Sequence, residues 1–100
     1  MKLPLRFLAE AVEEIGETRL WYDNQRQGLG EEFLLQLNYS LVEVENRPMS
    51  FQLVDKTVRR AILKRFPYCI YFVIREHEFV VLAVLHGGRR PSAWKQRWTQ

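Results

Sequence analysis

The stretch FPYCIYFVIREHEFVVLAVLHGGRRPSAW, residues 66–94, decides how the rest of the chain is read. Residues 68–75 and 79–85 are two runs rich in β-branched and aromatic side chains, the composition that suits a pleated, buried surface. The polar Glu76-His77-Glu78 between them reads as the turn of an antiparallel pair. Neither run alternates cleanly between apolar and polar residues. At least one of the two is therefore expected at the centre of a sheet covered on one face and partly shielded on the other. The helices that cover it must come from elsewhere in the chain.

Beyond the second run the chain changes character. Gly87 and Gly88 open backbone conformations closed to other residues, and Pro91 fixes φ and ends strand pairing, so Arg89 and Arg90 are expected at a sheet rim. A guanidinium fork grips phosphate or carboxylate in two places at once, which suits an RNA backbone or an acidic protein segment. His86 is placed to hold the glycine turn through a backbone hydrogen bond, with acid–base work as the alternative. Trp94 and Trp98, four apart, would share a face of a short terminal helix with Ser92 as its N-cap. That helix is expected to pack on the sheet; stacking on a nucleic-acid base is the other reading.

Upstream, residues 3–7 read as a short strand that Pro4 confines to an edge or a terminal position. From Leu8 the period becomes helical. Leu8, Ala11, Val12, Ile15 and Tyr22 fall on one side, while Glu10, Glu13, Glu14 and Glu17 form what should be a solvated face. A helix over 8–25, a connection at 26–30 with two glycines, and a second helix over 31–46 make an αα-hairpin. Phe33, Leu34, Leu37, Leu41 and Val44 supply its core stripe. Glu31 and Glu32 sit favourably at the positive end of the second helix dipole. The residue before Pro48 is pushed out of the helical region and ends it.

Residues 51–54 could be extended. Residues 58–64 read as a strand with Ala61 and Leu63 on one face and Arg60, Ile62 and Lys64 on the other. Helices ahead of a run of strands imply an α+β fold. Expected are an N-terminal strand, the αα-hairpin, a mainly antiparallel sheet of three to four strands with helices on one face, and a short C-terminal helix.

One hundred residues make one domain, able to bury a core without disulfides or metal. The single Cys69 lies inside an apolar run and reads as a small buried hydrophobe, which suits a reducing cytoplasm. Neither histidine has metal-ligand spacing with it, so no zinc site, and no cofactor, is expected. No apolar run approaches the roughly 18 residues of a membrane span, and no signal-peptide pattern follows Met1-Lys2.

The net charge of +3 is unevenly spread. Residues 1–55 carry 5 Lys/Arg against 10 Asp/Glu, a balance of −5, and residues 56–100 carry 10 against 2, a balance of +8. Arg59, Arg60, Lys64 and Arg65 form a second basic cluster that, with Arg89 and Arg90, could line one concave sheet surface. A basic half built on the sheet points to a polyanionic or acidic partner.

Phe66-Pro67-Tyr68, the strand pair and the motif H-x-x-R-x-P-x-x-W from His86 to Trp94 resemble the C-terminal half of RelE/ParE superfamily toxins, the ParE-like plasmid stabilisation branch in particular. With the upstream helix pair, the resemblance covers nearly the whole chain. It implies the toxin of a bacterial type II toxin–antitoxin pair, inhibiting growth by binding DNA gyrase and neutralised by a cognate antitoxin. The RelE branch implies instead a ribosome-dependent mRNA endonuclease acting through sheet lysines and arginines and a C-terminal tyrosine. Here Cys69 stands where those nucleases carry an arginine after the tyrosine, and Trp94 is nearest the tyrosine slot. Only Arg89 or Arg90, with Arg60 or Lys64, match their basic set, so ribonuclease activity is the second reading. A non-toxic relative that only binds its antitoxin is the third. The residues expected to meet the target are Arg89, Arg90, Arg60, Lys64, His86 and Trp94.

Overall fold

The computed structural model of the chain describes residues 3–88 and 92–97. Strand β1 (Leu5–Phe7) leads into helix α1 (Ala9–Gln25) and helix α2 (Leu29–Asn46). After a 3-10 turn at Pro48–Ser50 come strands β2 (Gln52–Asp55), β3 (Val58–Ile62), β4 (Tyr68–Arg75) and β5 (Glu78–His86), then the short helix α3 (Ser92–Lys95). The fold is α+β, as the order of periodicities implied. Its sheet has five strands in the order β1-β5-β4-β3-β2. The stretch expected to be extended at 51–54 contributes β2, shifted by one residue, and β1 is the one parallel member, with Leu5 opposite Phe79 and Phe7 opposite Val81.

The hairpin connection is shorter than its glycines suggest, because Gly30 belongs to α2 rather than to the loop. Gly28 makes the turn, at φ +90°. Gly30 is buried where the two helices cross. A Cβ there would lie 2.5 Å from the Arg19 carbonyl oxygen, so only hydrogen fits. Its N–H donates to Asp23 Oδ1 at 2.8 Å, so a carboxylate from α1 caps one of the orphan amides at the start of α2. Tertiary packing thus overrides the poor helix propensity of glycine.

The apolar stripe of α2, Phe33, Leu37, Leu41 and Val44, packs with Ala11 of α1 on Ala61, Ile70, Phe72, Val81 and Val84. Fully burying one such large side chain contributes about 1.5–3 kcal/mol. Tyr22, Phe33, Phe66 and Tyr68 close one end as a cluster of rings, with Tyr22 and Phe66 4.9 Å apart edge to face. The opposite sheet face buries Val58, Cys69, Tyr71, Val73, Val80, Leu82, Ala83 and Leu85, with Trp94 against them. Both faces of β4 and β5 are therefore buried, which is why neither alternates in sequence. A bulge adds to this. The register slips between the pairs Tyr71 with Ala83 and Phe72 with Val81, and Leu82 and Ala83 lie in the same cluster.

Candidate functional site

The face of the sheet away from α1 and α2 holds the residues with unspent hydrogen-bonding capacity. Arg60 on β3 sits across from Tyr71 on β4. Its Nη2 donates to Gln52 Oε1 at 2.8 Å, while its Nε is buried with no partner among the described residues. Trp94 is 2% exposed, and its indole lies nearly parallel to the Tyr71 ring at 5.3 Å. Trp94 Nε1 is likewise buried without a described partner. Two N–H donors without a partner among the described residues thus adjoin one tyrosine. Burial pushes the Tyr71 phenol up from its ordinary pKa, Cys69 adds to the rise, and the Arg60 guanidinium opposes it. Burial likewise raises the Cys69 thiol against the pull of Arg60. Both groups are held in their neutral, donor-capable forms.

Of the basic residues expected on one surface, the four described, Arg59, Arg60, Lys64 and Arg65, do not gather there. Strand β3 ends at Ile62, two residues short of the expected boundary, and Lys64 lies in the bend that follows. It borders a groove of about 730 Å³ with Tyr39 and Val42 of α2, Arg47 just past the end of that helix, Phe51 and Ile62. Arg47 is ion-paired to Glu43 in the wall of that groove. Arg59 donates to the carbonyl of Phe51 at 2.7 Å, and Arg65 pairs with Glu32 of α2 at 3.1 Å. Their charges stitch strands to loops and helices. Arg60 is the one member of this cluster directed at the Tyr71 side.

His86 is the last residue of β5 and is exposed. Its Nδ1 accepts the Gly88 N–H at 2.9 Å, the turn-holding bond anticipated for it. Trp94 packs on the sheet as the structural reading held, and it is not presented to solvent. Arg89, Arg90 and Trp98 lie outside the described residues.

One residue assigned to a solvated face is something else. The Glu14 side chain is 15% exposed. Its Oε1 accepts the Val84 N–H at 3.0 Å and its Oε2 accepts from Arg97 Nη2 at 2.6 Å, while Arg97 Nη1 donates to the Leu82 carbonyl at 3.0 Å. Strand β1 pairs only as far as Val81, so an ion pair satisfies the edge of β5 where the neighbouring strand stops. The helical spacing of four glutamates gives no sign of this. The signal lies in the mismatch between a three-residue and a nine-residue strand. Glu10, Glu13 and Glu17 are exposed as expected.

The arrangement, a helix pair inserted after a first strand that pairs parallel to the last with an antiparallel meander completing the sheet, is a fold shared with solved structures. The chain superposes on one from the chromosomal ParDE TA system of P. aeruginosa with a TM-score of 0.75 at 12% identity, over 85% of this chain and 96% of that one. It also superposes on an arginine-to-alanine double mutant of the E. coli toxin RelE in the free state, with a TM-score of 0.67 at 19% identity, over 97% and 98% of the two chains. No family model and no curated protein matches the sequence. At such identities the likeness is one of fold, and function has to be argued from the site.

Proposed function

We propose that this protein is the toxin of a type II toxin–antitoxin pair, ParE-like, acting in the cytoplasm by binding DNA gyrase and neutralised by a cognate antitoxin. The observation that carries this reading is the likeness of fold to the ParDE chain over 85% of this chain and 96% of that one. The character of the sheet face opposite the helices supports it. Tyr71, Val73, Leu82, Leu85 and Trp94 fill that face, Lys64 borders the groove beside α2, and Arg59 and Arg65 are bonded elsewhere, so a multi-lysine phosphate clamp has few of its parts among the described residues. The groove between α2 and the end of β3, where Tyr39, Val42, Phe51 and Ile62 lie among polar residues with Lys64 at the rim, suits an apolar and acidic antitoxin segment.

A specific observation favours the mRNA endonuclease as second reading. Arg60 Nε and Trp94 Nε1 beside Tyr71 are buried donors without a partner among the described residues, and an anionic oxygen that reached them would satisfy both. Induced expression with and without the neighbouring reading frame tests both. Growth arrest with gyrase-linked DNA breaks, relieved by the neighbour, is expected. Arrest with cleaved mRNA and intact DNA would overturn the gyrase reading in favour of the nuclease. No growth defect would leave a relative that only binds its antitoxin. Replacing Arg89 and Arg90 together by alanine is expected to abolish arrest while the fold persists.

A further inference from the structure

Between the C-terminal half of α1 and the ends of β4 and β5 lies a notch of about 250 Å³ that plays no part in the reading above. Trp21, Tyr68 and His86 form its aromatic walls, Thr18, Glu17 and Glu14 line the helix side, and Val84 and Leu85 form part of its floor. The rings are fixed by one another. Tyr68 and His86 lie 5.5 Å apart at 76°, and Tyr22 sits against both Tyr68, at 6.0 Å, and Trp21, at 5.1 Å. Trp21 is nonetheless 56% exposed, an indole held open to solvent with no described residue covering its outer side. Because His86 Nδ1 accepts the Gly88 N–H, its neutral tautomer carries the ring proton on Nε2.

Charge decides what such a notch can hold. Glu14 is neutralised by Arg97. Glu17 is exposed, and one carboxylate without an ion-pair partner among the described residues thus stands beside three aromatic rings. A phosphate-bearing ligand would be repelled, and an apolar side chain would strip water from the carboxylate without replacing it. A planar guanidinium can stack on the indole and phenol faces and pair with the carboxylate at once. The volume lies below that of ordinary cofactor pockets, roughly 300–1,000 Å³, and fits one long side chain.

We infer that this notch receives an arginine side chain of a partner polypeptide lying across the β5 end of the sheet. The inference holds whichever cellular target the protein has. The test is a titration of the full-length, isotope-labelled protein with N-acetyl-arginine amide, N-acetyl-citrulline amide and AMP, followed by NMR. The arginine derivative is expected to move the Trp21 indole and His86 ring signals saturably, with the neutral, near-isosteric citrulline derivative binding at least about tenfold more weakly. Glu17→Gln and Trp21→Ala should each weaken arginine binding by about tenfold while the signal of the buried Val73, outside the notch, stays in place. Equal responses to arginine and citrulline, indifference to Glu17→Gln, or no saturable shift would overturn the proposal. Tighter binding of AMP at the same signals would make the notch a nucleotide site instead.

Discussion

Arg97 Nη2 lies 2.6 Å from Glu14 Oε2, and between them the two side chains satisfy both the carbonyl of Leu82 and the amide of Val84. The carboxylate comes from α1 and the guanidinium from the chain after α3, so the pair clasps the sheet edge from both layers. The side chains are only 15% and 17% exposed, so removing one partner leaves a largely desolvated charge and an unpaired backbone group. Glu14→Ala and Arg97→Ala should each cost about 2–3 kcal/mol in urea denaturation. The double variant should cost clearly less than the sum, and the Val84 amide should exchange faster in each. Additive losses would mean that the two groups act independently.

Two glycines in the helices should respond in opposite directions to the same change. Gly30→Ala places a methyl 2.5 Å from the Arg19 carbonyl oxygen and must push the helices apart. A loss of about 1–3 kcal/mol is expected, the range for overpacking a tight contact. Gly16 lies mid-helix, and a Cβ there meets nothing within 4 Å. Gly16→Ala should therefore stabilise by about 0.5–1 kcal/mol, read from the denaturation midpoint.

Trp94 separates volume from hydrogen bonding. Its ring is buried on Tyr71 but its Nε1 has no described partner. Trp94→Ala should cost about 3–5 kcal/mol through the cavity it leaves. Trp94→Phe keeps an aromatic surface and discards an unpaired donor, so it should cost about 1–2 kcal/mol at most. If the endonuclease reading holds, the phenylalanine variant should fold and yet lose mRNA cleavage.

Stability should fall at alkaline pH, in two steps. The Cys69 thiol is raised above its ordinary 9.0 chiefly by burial, and the Tyr71 and Tyr22 phenols above their ordinary 10.0 for the same first cause. The unfolded chain therefore releases these protons first and holds fewer of them than the native state as pH rises. The slope of unfolding free energy against pH is then negative. Full stability is expected below the ordinary thiol value, with a decline beginning as pH passes 9.0 and steepening past 10.0. Cys69→Ala should remove the first step and leave the second, as followed by urea midpoints across the pH series.

Much of this architecture was legible because burial leaves a periodic trace. The apolar runs at 68–75 and 79–85 are β4 and β5 within one residue at each end, and the 3-and-4 stripe from Phe33 to Val44 is the face α2 buries. What was not legible depends on partners distant in sequence. Gly30 looks like a loop residue until Arg19 is placed against it, and Glu14 looks solvated until β1 is seen to stop at Phe7. Lys64 left its expected face because β3 ends at Ile62, before the bend into Phe66-Pro67. The side-chain pairing of Arg59 with a loop carbonyl and of Arg65 with Glu32 depends on which elements become neighbours, which local pattern does not encode.

The brevity of β1 carries a cost that shows only when chains meet. Its three residues shield the opening half of a long, apolar strand from other molecules, and a few side chains guard the remainder. A chain whose first strand has frayed would offer bare amides and carbonyls flanked by valines, the template on which a second molecule adds itself as a further strand. Aggregation would then set in while both helices were still intact. Light scattering should rise before the helical circular dichroism signal fades.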